Sequence, residues 1–308
     1  MTGVPRRILL TGATGFVGRH LTAVLRQRFP EAVLATEKVD VTDPGAVLRA
    51  VRDAAPDACV HLAGITAVPD ARKRPDAAWQ VNLHGTLNVA RAVLEAASQC
   101  RLLHVSTAEV YGRSFTSGQA LDEAAVLAPM NTYAATKAAA DLAIGAMVSD
   151  GLRAVRVRPF NHIGPGQSDA FVVAAFAYQL ACIEAGLQPP VLQVGALTPR
   201  RDFLDVRDVC AAYAACLEQP DAVLPAGSVL NIASGMARSI GDVLARMCEL
   251  MDLKVELATD TERLRPVEIV VAQGDAGRVH DVLGWAPQFP WDQTLRDVIA
   301  DWRTRIQP

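Results

Sequence analysis

The chain has 308 residues, 51% of them hydrophobic and 20% charged, and its 33 acidic and 30 basic side chains leave a formal charge of −3. That length holds one large domain or two coupled ones, and the composition excludes a disordered or low-complexity chain. The near balance of charge provides no broad field for nucleic acid or an anionic membrane, so an anionic ligand must be held by local groups.

Arg7 to Leu10 read as a first strand, and Val17 to Arg28 as a helix in which Val17, Leu21, Val24 and Leu25 share one face. Between them stands Thr11-Gly12-Ala13-Thr14-Gly15-Phe16-Val17-Gly18. A glycine turn after a strand and before a helix is where a dinucleotide pyrophosphate meets bare backbone and a helix N-terminus. Gly12 permits the tight turn, Gly15 lets the chain approach the phosphates, and Gly18 lets the helix pack on the sheet. Thr14, Phe16 and Val17 are expected to line the same cofactor site.

A second strand, Ala32 to Ala35, leads into Thr36-Glu37-Lys38, where an acid would hold the adenosine 2′-hydroxyl. Glu37 favours NAD(H), whereas Lys38 beside the small Thr36 accommodates the 2′-phosphate of NADP(H), so the signal is split. Asp40 and Val41 follow, either as adenine contacts or as simple loop residues. Next come a helix at Pro44 to Ala54, a strand at Ala58 to His61, a helix at Ala77 to Ser98 and a strand at Leu102 to Ser106. A helix at Tyr133 to Val148 and a strand at Ala154 to Arg158 continue the alternation. This series predicts an α/β fold, a Rossmann-type doubly wound parallel sheet with its ligand crevice at the carboxyl ends of the strands.

Tyr133 and Lys137 are spaced i, i+4 at the start of a helix and share one face. With four Tyr and four Lys in the chain, such a pair arises by chance only about 0.05 times. A phenol is a weak acid and base at neutral pH, and a neighbouring ammonium stabilises the phenolate. Lys137 can also hold a nicotinamide ribose, while Tyr133 exchanges a proton with a carbinol or ketone oxygen. Thr107, just beyond the fourth strand, can hydrogen-bond the same oxygen. Glu109 is either a base for elimination or an acceptor for a sugar hydroxyl, and Tyr111 is read as packing.

Proline residues break up the chain after Pro159, and Ala170 to Ile183 form an apolar run that is too short to span a membrane and fits a buried helix. Strand and helix signals return at Phe203 to Glu218, Val229 to Ile232, Ile240 to Met251 and Asp292 to Ile306. The expected division is a dinucleotide domain of residues 1–162 and 203–234 and a smaller α/β C-terminal substrate lobe of 163–202 and 235–308. The N-terminus enters an apolar strand without a signal-peptide pattern, and a cytoplasmic location is expected. The six cysteines are scattered among apolar neighbours and read as reduced core thiols, with no metal-ligand spacing among Cys or His.

Taken in order, the glycine loop, His61-Leu62-Ala63-Gly64, Asn82-x-x-Gly85-Thr86-x-Asn88 and Tyr133/Lys137 resemble the extended short-chain dehydrogenase/reductase family, which acts on nucleotide sugars. The likeness covers almost the full chain. Arg158-Pro159-Phe160-Asn161-His162-Ile163-Gly164-Pro165-Gly166-Gln167, Phe171-Val172 and Arg201-Asp202-Phe203-Leu204-Asp205-Val206-Arg207-Asp208 are most similar to the branch that reduces GDP-4-keto-6-deoxy-D-mannose, with Val68-Pro69-Asp70-Ala71 and Gly284-Trp285-x-Pro287 in support.

The resemblance implies that Leu62, Ala63, Gly64, Asn82, Phe160 and His162 join the cofactor site. It also implies that Thr107, Ala108, Glu109, Asn161, Phe171 and Val172 line the substrate. Arg201 and Arg265 would donate to phosphate oxygens and Glu268 would accept from the nucleotide ribose. Ala108 stands where dTDP-sugar 4,6-dehydratases carry Asp, which argues against that reaction. GDP-mannose 4,6-dehydratases share the Thr and Glu positions but differ along Asn161 to Gly166. The implied reaction is NAD(P)H-dependent reduction of a GDP-4-keto-6-deoxyhexose at C4. A dehydratase or epimerase is the same-fold alternative, and a non-catalytic dinucleotide sensor is the alternative of another class. The helices over Thr86 to Ser98 and Ala134 to Val148 are rich in Ala, Leu and Val, and the resemblance implies a homodimer through them.

Overall fold

The computed structural model describes residues 4–260 and 269–307. The chain opens with β1 (Arg7–Thr11), α1 (Phe16–Arg28), β2 (Val33–Ala35), α2 (Pro44–Ala54) and β3 (Ala58–His61). Two short helices follow, α3 (Val68–Lys73) and α4 (Pro75–Ala78), then a π-helical segment Trp79–Gly85 that runs into α5 (Thr86–Ala96). Next are β4 (Arg101–Val105), a 3₁₀ segment Ala108–Ser117, α6 (Thr132–Met147) and β5 (Ala154–Pro159). The second half carries β6 (Asn161–Ile163), α7 (Val172–Glu184), β7 (Val191–Val194), β8 (Arg200–Asp205), α8 (Val206–Glu218) and β9 (Val229–Ile232). It finishes with β10 (Ala237–Ser239), α9 (Ile240–Met251), β11 (Glu256–Thr259), β12 (Val271–Ala272), α10 (Gly277–Leu283) and α11 (Trp291–Arg305).

Six strands form one sheet in the order β2-β1-β3-β4-β5-β9, and every pair is parallel. Its strands are continuous apolar runs because both faces are covered. Successive residues point to opposite faces, so Leu10, Val60 and Leu103 pack with Leu21, Leu25 and Tyr213 of α1 and α8. Leu9, Cys59 and Leu102 pack with Val51, Val93 and Ile144 of α2, α5 and α6. The chain leaves β1 toward β2 on one side and returns to β3 on the other. That reversal opens a crevice at the carboxyl ends of β1 and β3, where the glycine turn sits.

The single helix expected over Ala77 to Ser98 is interrupted by the π-helical segment. The cause is Asn82, which is 1% exposed and binds a distant loop instead of solvent. Its Oδ1 accepts from Ile65 N at 2.8 Å, and its Nδ2 donates to Ile65 O and Thr136 Oγ1 at 3.0 Å each. A π-turn allows that side chain to point inward while α5 keeps its own apolar face on the sheet.

The smaller lobe has a sheet of β10-β8-β12 with β6 beside β8, and a separate parallel pair of β7 and β11. The helices α7, α9 and α11 bury Phe176, Met247 and Trp302 with β7 and β8. The boundary expected between 202 and 203 falls inside β8, which belongs to the small sheet but runs directly into α8 on the large one. Val279 and Trp285, expected in the small lobe, lie in the core beneath the large sheet. Among the described residues no helix is long and apolar enough to cross a membrane.

Candidate active site

The glycine turn is shaped by backbone contacts that exclude side chains. Gly12 has φ of +75°, and a Cβ there would lie 2.7 Å from Ala63 N. A Cβ on Gly18 would lie 2.2 Å from Gly12 O, so the first turn of α1 rests on the loop itself. Gly15 precedes α1 without a side-chain cap, and no acidic residue occupies the first turn. The N-terminal amides therefore face the crevice and favour an anion. The Phe16 ring stacks on His162 at 6.3 Å, and Arg19 donates to Thr14 O and Gly166 O at 2.9 and 3.1 Å. These contacts join the turn and α1 to β6 and to the stretch that follows it. His162 Nδ1 pairs with the carbonyl of Phe160, itself buried, at 2.9 Å, and burial pushes the imidazole pKa down.

Behind Leu62, Ala63 and Gly64 runs a buried hydrogen-bond chain. Thr86 Oγ1 donates to Asn82 O at 2.7 Å, so it accepts from His61 Nε2 at 3.0 Å. This leaves His61 Nδ1 as the acceptor for Thr11 Oγ1 at 2.7 Å. Burial pushes the pKa of His61 down to about 3, with Lys137 adding to the shift. A Cβ on Gly64 would lie 3.1 Å from Asn82 Oδ1. Asn82, expected at the cofactor, thus stands behind this loop with its amide hydrogens directed at protein groups.

At the adenosine end, Glu37, Lys38 and Asp40 are exposed. Asp40 accepts from Thr42 N and Thr42 Oγ1 at 2.9 and 2.7 Å, and these bonds hold its carboxyl below the usual range. Val41 is buried, and its carbonyl accepts from Asn88 Nδ2 at 3.0 Å.

Thr107 lies two residues beyond β4 and caps the 3₁₀ segment, its Oγ1 accepting from Glu109 N at 3.2 Å. Asn131 caps α6 by accepting from Ala134 N at 2.8 Å, which fixes the helix just before Tyr133. Tyr133, Lys137 and Thr107 are 8–9% exposed. Burial pushes Tyr133 up to about 12; a hydrogen bond with Thr107 opposes the shift and the Glu109 charge adds to it. Burial pushes Lys137 down to about 8 against the attraction of Asp141. The dominant influence on the phenol is desolvation rather than the ammonium, so Tyr133 is held in its proton-bearing form.

Ala108 is buried, Glu109 is half-buried and Asn161 is exposed. Arg201 donates through Nη1 to Ile269 O at 3.2 Å, and burial lowers its pKa while Glu109 opposes the shift. The structure thus gathers Tyr133, Thr107, Glu109 and Arg201 into one electrostatic neighbourhood. Phe171 and Val172, 38% and 40% exposed, begin α7. Phe171 faces Gly64, Ile65 and Thr66 across a cavity of 370 Å³. Arg265 and Glu268 lie outside the described residues. Among the described residues no group of three His, Cys, Asp or Glu side chains could hold a metal ion.

Sequence reasoning missed Asp141 and Arg158 as partners and took Tyr111 for packing. Asp141 stands four residues after Lys137, a spacing that could have marked it. Tyr111 is fully buried and its hydroxyl donates to Asn231 Oδ1 at 2.7 Å.

Residues 8–233 match the NAD dependent epimerase/dehydratase family. The chain is 37% identical to a GDP-6-deoxy-D-mannose reductase of Pseudomonas aeruginosa, over 98% of this chain and 99% of that protein. It is 28% identical to a GDP-6-deoxy-D-talose 4-dehydrogenase of Aggregatibacter actinomycetemcomitans, over 90% and 91%. Among solved structures it is similar to RMD from Pseudomonas aeruginosa complexed with NADPH, with a TM-score of 0.86 and 34% identity over 97% and 100% of the two chains.

Proposed function

The chain belongs to the NAD dependent epimerase/dehydratase family, and on that premise we propose that it is a cytoplasmic NAD(P)H-dependent reductase. Its substrate is GDP-4-keto-6-deoxy-D-mannose and its product GDP-D-rhamnose. The observation that carries this reading is a buried, proton-bearing phenol, Tyr133, in the neighbourhood of Thr107 and beside a crevice whose glycine backbone suits a dinucleotide. The relative named GDP-6-deoxy-D-mannose reductase supports the choice of sugar.

Gly12 to Gly18 and Leu62 to Gly64 would hold the cofactor pyrophosphate and ribose, with Lys137 reaching the nicotinamide ribose. When bound, the cofactor supplies a hydride to C4 of the keto sugar. Tyr133 gives its phenolic proton to the C4 oxygen as negative charge develops there, and regains a proton from solvent after product forms. Thr107 donates a hydrogen bond to the same oxygen, and the Lys137 ammonium stabilises the phenolate left behind. Arg201 is assigned to a diphosphate oxygen. Glu109 is assigned to a sugar hydroxyl.

The test is to supply GDP-4-keto-6-deoxy-D-mannose with NADPH or NADH and identify the sugar by NMR. The expected result is one cofactor oxidised per GDP-D-rhamnose formed. Dehydration of GDP-mannose without net loss of nicotinamide absorbance would overturn the reading. A dehydratase is the second reading because the Glu109 carboxylate acts electrostatically on Tyr133 and would serve as the base in that reaction. We assign the outer faces of α5 and α6 to a second copy of the chain, since Leu142 is 59% exposed on α6. Leu142→Arg should then yield monomers in sedimentation, and an unchanged sedimentation coefficient would remove the assignment.

A further inference from the structure

The two segments that carry the proposed catalytic groups arrive from different parts of the chain. Thr107 caps the 3₁₀ segment, whereas Tyr133 and Lys137 stand on α6. A buried polar chain joins them from behind. Tyr111, one turn beyond Thr107, accepts at its hydroxyl from Arg158 Nη1 at 3.0 Å, and the Arg158 guanidinium lies 5.1 Å from the Tyr111 ring centre. Arg158 then grips Asp141 with two parallel bonds, Nε to Oδ2 and Nη2 to Oδ1, each 3.0 Å. Asp141 is fully buried on α6, one turn after Lys137 and two turns after Tyr133.

Burying such a pair brings little net stability, because desolvation offsets most of the attraction. What a two-pronged bond does supply is a fixed distance and orientation. We propose that Tyr111 and Arg158 are positioning residues for the reduction, holding Thr107 against Tyr133 through Asp141. The inference rests on the catalytic reading of Thr107 and Tyr133. Tyr111 and Arg158 touch neither substrate nor cofactor in this role. They set the separation between two groups that must meet at one oxygen, where an error on the order of 1 Å costs about 100-fold in rate.

The experiment measures kcat and KM for Tyr111→Phe in the wild-type and Thr107→Ala backgrounds, with folding checked by thermal melts. Phenylalanine keeps the ring and removes the hydroxyl together with its bonds to Arg158 and Asn231. Expected is a loss of kcat of about 10-fold in the wild-type background, with KM for both substrates within about twofold. In the Thr107→Ala background the same change should cost less than about twofold, because no hydroxyl remains to be positioned. Arg158→Lys, which keeps charge but lacks the planar fork, should repeat the pattern and serves as the test if Tyr111→Phe fails to fold. Equal losses in both backgrounds, or unchanged kcat in the wild-type background, would overturn the inference. If Thr107→Ala alone leaves kcat unchanged, the catalytic reading itself fails and takes this inference with it.

Discussion

Lys137 Nζ donates to the carbonyl of Val105 at 2.5 Å, which ties α6 to the end of β4. The same burial that makes this bond direct pushes the ammonium pKa down to about 8. The proposed reduction requires the charged form, so kcat/KM should fall as pH rises through about 8. Tyr133, pushed up to about 12, keeps its proton throughout that range. A pH profile of kcat/KM checks this, and a profile flat to about pH 10 would contradict it. Stability moves the opposite way. An unfolded lysine titrates near 10.4, so between about 8 and 10.4 the unfolded chain binds more protons and this group adds stability as pH rises.

Tyr133→Phe should lower turnover by about 10² to 10⁴-fold, since the phenol is the assigned proton donor. NADPH affinity, measured by fluorescence titration, should change by less than about threefold because the glycine loop is untouched. Turnover near the wild-type value would remove the phenol from the mechanism.

The first turn of α1 leaves no room for a methyl group at Gly18, where a Cβ would stand 2.2 Å from Gly12 O. Gly18→Ala should cost about 1–3 kcal/mol by overpacking and weaken NADPH binding by displacing the loop. Thermal melts and the same fluorescence titration test both halves of the expectation. A variant with normal melting and normal affinity would show that the loop yields freely.

His104 is fully buried on β4, and neither ring nitrogen has a hydrogen-bond partner among the described residues. Burial, then the Lys137 charge, drives its pKa well below the ordinary value. The unfolded imidazole, near 6.5, takes up a proton that the native one refuses, so stability falls as pH drops through 6.5. His104→Leu removes both the unpaired nitrogens and the titration. Its melting temperature relative to wild type should therefore improve more at about pH 5 than at about pH 8. An equal difference at both values would show that His104 does not contribute to acid sensitivity.

The elements that the sequence made legible are those whose pattern is local. Ala58–His61, Val229–Ile232 and Ile240–Met251 match the expected spans residue for residue. The glycine turn and the Tyr133/Lys137 pair are equally local, and each appears where its spacing placed it. The interruption at Trp79–Gly85 was not legible, because the apolar spacing continues through it and Asn82 turns inward to bond the backbone of Ile65, seventeen residues away. The small sheet was hidden for a related reason. Strands β6, β10 and β12 have three, three and two residues, and they exist only because β8 pairs with each of them. Arg158 and Asp141 meet because β5 lies beside α6, a proximity that neither periodicity nor composition encodes.

Asn82 bonds both Ile65 and Thr136, so the loop after β3 and α6 are one mechanical unit. Glu37 and Lys38, by contrast, stand exposed on a connection that this unit does not include. The two ends of the proposed cofactor seat are therefore separable in evolution. On the proposed placement of the cofactor, substitutions at 37 and 38 should retune the choice between phosphorylated and unphosphorylated coenzyme while the proposed acid and its supports stay in register. A library confined to those two positions is the economical route to changing coenzyme without rebuilding the chemistry.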